Sequence, residues 1–99
     1  MRWKTQELTD VTLDAAVAKA CRVPYFESLL WKPSSDWGHA GQVLDLGLCA
    51  IAPDLEREGS WAAQWGVGER RFQALGTTAL EAAMRAMVGS SFGEEIELP

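Results

Sequence analysis

This sequence holds few of the residues that make catalytic or metal sites. It has one histidine, His39, and two cysteines, Cys21 and Cys49. Asp36 and His39 stand three residues apart and could share a metal, but two ligands do not make a site. A nucleophile–base pair would have only His39 to draw on, and no glycine-flanked serine elbow is present. Two cysteines are too few for a secreted fold stapled by disulfides. Each lies among apolar residues and reads as a buried free thiol, with a Cys21–Cys49 disulfide as the alternative. No run approaches the roughly 18 apolar residues needed to cross a bilayer. The opening Met-Arg-Trp-Lys-Thr-Gln has no apolar stretch suited to a signal peptide, so the expected location is the cytoplasm.

Positive charge is also scarce. Lysine and arginine number 9 against 14 acidic residues, a net charge of −5. Such a chain is repelled by a phosphate backbone, and counterion release cannot drive its binding. Its basic residues are scattered, Arg70-Arg71 being the one adjacent pair. Nucleic acid is therefore disfavoured as a partner.

What is present suits one small domain. The chain has 99 residues, 47% of them hydrophobic, with no repeat, low-complexity stretch or linker. Five tryptophans are many for this length: Trp3, Trp31, Trp37, Trp61 and Trp65. Most are expected to fill the core, leaving one or two for an interface.

Trp3 to Glu7 reads as a short leading strand. Thr9 is a good N-cap for a helix over about residues 10–22, whose stripe is Leu13, Ala16, Val17 and Ala20. Pro24 is expected to end it, since the residue before proline avoids the α region. Tyr25 to Trp31 fits either a strand or a short helical turn. Ser35 or Asp36 caps a short helix through Gln42 to Asp45. Leu48 to Ala52, Ser60 to Trp65 and Glu69 to Ala74 read as three strands, the last two joined by a tight turn at Gly66-Val67-Gly68. A final helix starts at Thr77 or Thr78, with Glu81 completing a capping box. Its stripe is Leu80, Ala83, Met84, Met87 and Val88, and Glu81–Arg85 is an i,i+4 pair worth a few tenths of a kcal/mol. The tail from Glu94 to Pro99 is a short edge strand or a docked acidic tail. The expected class is α+β: a small antiparallel sheet of about three strands packed against two main helices, in helix–strand meander–helix order.

Two places merit a functional reading. Ser34, Ser35, Asp36, Trp37 and His39 cluster hydroxyls, a carboxylate, an indole and an imidazole, as a binding loop would. The plainer reading is a capped short helix with Trp37 in the core. Gly76, Thr77 and Thr78 at a helix start could hold an anion on backbone N–H groups, and Arg70 and Arg71 could touch phosphate. A plain N-cap and a solvent-facing strand explain the same residues, and the Walker ending Gly-Lys-Ser/Thr is missing. No cofactor or metal is expected.

Several segments, in order, resemble one family. Lys4-Thr5-Gln6-Glu7-Leu8-Thr9 with Leu13 to Ala20, Pro33-Ser34-Ser35-Asp36-Trp37 with Gly41, and Trp61-Ala62-Ala63 are three of them. Gly76-Thr77-Thr78-Ala79-Leu80 with Ala82-Ala83-Met84-Arg85, and Gly93 to Pro99, are the others. Together they look like the NinX-like bacteriophage and prophage proteins, over most of residues 1–99. The segment between Arg22 and Lys32 is shorter than in many relatives, and Ser35 stands where Thr is usual. The resemblance implies a single phage accessory domain of unknown function and carries no catalytic residues across. The expected role is a noncatalytic interaction module for a host or phage protein, with a small nucleic-acid-binding domain as the alternative. A homodimer is compatible with an exposed sheet edge.

Overall fold

The computed structural model describes residues 1–23 and 30–98, with Leu48 and Cys49 by backbone only. Along the chain run β1 (Arg2–Lys4), α1 (Asp10–Cys21), α2 (Trp37–Leu44), β2 (Leu48–Pro53), β3 (Trp61–Trp65), β4 (Phe72–Gly76), α3 (Ala79–Phe92) and β5 (Glu95–Glu97). The class is α+β: β2-β3-β4 form an antiparallel sheet, and β1 and β5 a separate antiparallel pair. Among the described residues no helix is long and apolar enough to cross a membrane.

α3 is the centre of the molecule. It packs on β4 and β3 on one side and on α1 on the other. α1 stacks on α3 and is not laid beside it on the sheet. A helix covered on both sides must be buried all round, and every residue from Ala82 to Gly89 is. Ala82, Ala83, Ala86 and Gly89 keep it thin enough to fit. A Cβ on Gly89 would run into the Phe72 ring, and one on Gly76 would lie 2.5 Å from the Ala82 nitrogen. The expected stripe of Leu80, Ala83, Met84, Met87 and Val88 is buried, but it is only part of the buried surface.

Arg85 belongs to that interior and is 9% exposed. Its Nε donates to Leu8 O at 2.8 Å and its Nη1 to Leu75 O at 2.8 Å, beside Glu81 Oε1 at 3.3 Å. It therefore ties the chain before α1 to the end of β4, a larger role than a helix-surface ion pair.

The two chain ends close the fold. Trp3 pairs with Ile96, and the fully buried Thr5 donates its hydroxyl to Gly93 O at 2.7 Å. Ile96 and Leu98 point inward while Glu95 and Glu97 face solvent, the alternation of a strand. The acidic tail is thus a strand, paired with β1.

Some local expectations change. The leading strand covers only Arg2–Lys4, because Thr5–Glu7 turns into a 3-10 helix that drops Thr5 into the core. Thr9 makes no side-chain cap, although its carbonyl accepts from Thr12 and Leu13. α1 ends where Arg22 takes a left-handed conformation, φ 59°, and Val23 N–H returns to Ala18 O, before Pro24 is reached. The β3–β4 connection is longer than a tight turn. Gly66 and Gly68 both adopt positive φ, and Gly68–Arg70 form a 3-10 turn, so β4 begins at Phe72 rather than Glu69. β2 extends to Pro53, which an edge strand tolerates. The strand-or-turn reading of Tyr25 to Trp31 falls outside the described residues in its first five positions.

β4 is the other edge of the sheet, and a side chain closes it. Gln6 Oε1 accepts from Leu75 N–H at 3.2 Å, and Gln6 Nε2 donates to Gln73 O at 3.5 Å. One amide thus satisfies both kinds of edge group, as a neighbouring strand would. Of the tryptophans, Trp65 is buried, while Trp3, Trp31 and Trp61 pack half-buried on the core. Cys21 is a free, half-buried thiol, and that burial raises its pKa.

Candidate functional site

The segment before α2 is fixed by its own polar groups. Ser35 and Asp36 N–H both return to Lys32 O, at 3.2 and 2.9 Å, making one tight turn. Ser34 is buried, and its N–H donates to Asp14 Oδ1 at 2.8 Å. Asp36 caps α2 by accepting from Gly38 N–H at 2.8 Å and His39 N–H at 3.2 Å. The His39 N–H, and then the Gly38 N–H and the His39 ring, hold the Asp36 carboxyl below the usual carboxylate range. His39 Nδ1 accepts from Lys32 N–H at 3.0 Å and lies 3.8 Å from the nearer Asp36 oxygen. That nitrogen's lone pair is therefore spent on the turn.

Trp37 alone has no such employment. It is the first residue of α2, and α2 buries Ala40 and Val43 instead. Spacing alone does not explain this, since Ala40, three residues on, lies on nearly the same side of the helix; Trp37 stands at the first position of α2, where the helix begins. Trp37 is 59% exposed. The capped short helix is correct, and the core placement of its tryptophan is not.

At the start of α3, Thr78 Oγ1 accepts from Glu81 N–H at 3.0 Å. Glu81 Oε1 reaches back to Thr77, accepting from its N–H at 2.9 Å and its hydroxyl at 3.2 Å. The expected capping box is present, shifted one residue at its return arm. The Glu81 carboxylate occupies one donor that an anion would need.

These two segments meet. A groove of about 560 Å³ is lined by Ser34, Ser35 and Trp37 from the first segment and by Thr77 to Glu81 from the second, together with Thr9 and Asp10. Residues forty or more apart in sequence thus share one surface. Among the described residues its charged lining residues are Asp10 and Glu81, and no lysine or arginine lines it. Asp10 takes φ 46°, a left-handed backbone conformation that aspartate tolerates better than most residues, and its carbonyl accepts from Ser34 Oγ at 3.5 Å.

Other predicted residues lie elsewhere. Asp36 and His39 do not line the groove; they hold the turn and the start of α2. Arg70 and Arg71 stand at the opposite end of β4 from Thr77 and Thr78, about 16 Å away along a five-residue strand. Arg71 Nη2 donates to Gln64 Oε1, and Ser90 Oγ donates to Arg70 O at 2.6 Å. Arg71 lines a second depression of about 440 Å³, of mixed charge, with Lys4 and Glu94. Among the described residues no three His, Cys, Asp or Glu side chains come together to hold a metal. Sequence reasoning missed Thr9, Asp10 and Glu81 as groove residues. Each had a local explanation as a cap or a helix-dipole charge, and only the packing of α1 on α3 unites them.

No protein-family model matches this chain, and no curated protein matches it.

Proposed function

We propose that this chain is a noncatalytic protein-interaction module, and that a partner protein docks in the groove beside Trp37. The observation that carries this is the exposed indole lining a groove in which Ser34, Thr77, Thr78 and Glu81 already spend their side-chain polar groups on internal bonds. A tryptophan left 59% exposed forgoes the burial energy that the other four collect at least in part. Large aromatic side chains that seat in a partner's surface commonly dominate its binding. The groove's acidic rim supplies selectivity and steering more than affinity.

The resemblance to NinX-like proteins makes a host or phage protein, met in the bacterial cytoplasm, the partner class to test first. The residues that carry the resemblance hold the fold or form the groove: Thr5, Asp36, Gly76 and Arg85 in the first role, Ser34, Trp37, Thr77 and Thr78 at the second. No observation favours nucleic acid, because the groove offers a phosphate no cation and at least one helix-start donor is taken by Glu81.

The test compares partner capture by the wild-type protein and Trp37→Ala. The variant should keep the wild-type unfolding midpoint and lose affinity by about 2 kcal/mol, roughly 30-fold. Equal capture by both proteins removes the groove from the account.

A further inference from the structure

We infer that the groove seats an arginine side chain of the docked partner, its guanidinium stacked on the Trp37 indole and bonded to the Asp10 carboxylate. This rests on the reading of the groove as the docking site and names what it recognises.

Charge complementarity comes first. Among the described residues the groove's charged lining residues, Asp10 and Glu81, are both acidic; Glu81 is paired with Arg85, so Asp10, in a chain of net charge −5, is what favours a cation. The two carboxylates differ in what they have left to give. Glu81 is committed to Thr77 and Arg85. Among the described residues the Asp10 carboxylate has no hydrogen bond and no ion pair, so a ligand would not have to displace a protein group to reach it. The indole supplies the second element, since a cation is attracted to the face of a tryptophan ring, most strongly where the rest of the site is partly desolvated.

Shape then separates arginine from lysine. The guanidinium is planar, stacks on an aromatic face and still presents N–H groups at its rim to a carboxylate and to hydroxyls. Ser35, Thr9 and Thr78 bring hydroxyls to the same walls. A lysine ammonium is a strongly hydrated point charge and makes less of a flat indole. An anion meets the unpaired Asp10 carboxylate, and a purely apolar group leaves that carboxylate facing it without a partner.

The experiment titrates ¹⁵N-labelled protein with N-acetylarginine amide, and in parallel with the lysine and citrulline amides. It reads the Trp37 indole N–H resonance, assigned by its loss in Trp37→Phe. The expected result is a saturable Trp37 shift with arginine, binding at least about fivefold weaker with lysine, and none with uncharged citrulline. Asp10→Asn should weaken arginine about tenfold with the fold unchanged, since asparagine also tolerates the left-handed backbone there. An absent arginine shift, an equal response to citrulline, or an unaltered affinity in Asp10→Asn overturns the inference. If Trp37→Ala abolishes partner capture while the arginine amide has no effect, the docking site stands and the arginine seat falls. If the amide binds but capture ignores Trp37, both fall, because the bound arginine is then not the partner's.

Discussion

Replacing Arg85 by alanine should cost about 3–5 kcal/mol, far more than its place in a helical i,i+4 pair would imply. Truncation strips partners from Leu8 O and Leu75 O, each held at 2.8 Å. A buried carbonyl left without its donor costs about 1–2 kcal/mol, and the lost methylene stem adds about 1 kcal/mol of burial. Glu81, 3.3 Å away, loses its cation in a place where both side chains are nearly covered. An exposed i,i+4 pair is worth only about 0.2–0.5 kcal/mol. For a domain of this size the loss is a large share of a total near 5–10 kcal/mol and should lower the Tm by about 15–25 °C. Urea unfolding followed by both circular dichroism and tryptophan fluorescence measures it, with an unchanged slope showing that stability alone has moved. Arg85→Lys should fall between, because one ammonium cannot span two carbonyls and a carboxylate in the guanidinium's geometry. A cost below about 0.5 kcal/mol for Arg85→Ala would refute the placement of this side chain as an interior tie.

Three further outcomes follow from the packing. Gly76→Ala should destabilise by about 1–3 kcal/mol in the same urea assay, because its Cβ would meet the Ala82 backbone nitrogen at 2.5 Å, where neither chain can step aside. Asp36 is held below the usual carboxylate range by the His39 and Gly38 N–H groups, so its contribution is complete above about pH 4 and is lost as the pH falls through the lower folded value. Asp36→Asn keeps a capping oxygen but no titrating charge. Its Tm should therefore fall less steeply below about pH 4 than the wild type's, with the remaining slope from Asp54 and Glu97, which the Glu56 N–H and the N-terminal ammonium hold down in the same direction. Gln6→Ala uncovers the outer edge of β4, and light scattering should then show concentration-dependent association beyond that of the wild type.

Much of this fold is legible locally. The stripe of α1, the Thr78–Glu81 start of α3 and the β3 strand all rest on neighbours within a few residues, and the sequence pattern places them well. What was missed is non-local. The tail's pairing with β1 joins the two ends of the chain, and nothing near Ile96 announces Trp3. Arg85 reads as a surface residue because helical spacing shows one apolar stripe. It cannot show that α3 is covered from both sides, which takes the alanines and Gly89 together with α1 and the sheet. The candidate site divides in the same way. Its two strongest segments, around Trp37 and around Thr77-Thr78, are visible separately as helix caps, the first beside a tryptophan that the plainer reading places in the core. Their meeting in one groove is not, and neither is the part of Asp10. The separation of Arg70 and Arg71 from that groove follows from the length of β4, which sequence misplaced because Gly66 and Gly68 lengthen the preceding turn.

The central claim is that Trp37 and its groove receive a protein partner. The most direct measurement is quantitative capture from bacterial host lysate, nuclease-treated and at moderate salt, by three matched proteins: wild type, Trp37→Ala and Val67→Ala. Val67 is 80% exposed in the β3–β4 connection and serves as an apolar surface control outside the groove. One partner should be enriched equally by wild type and Val67→Ala, resist nuclease, and be lost with Trp37→Ala. Equal enrichment by all three proteins, or capture that disappears with nuclease, would contradict it.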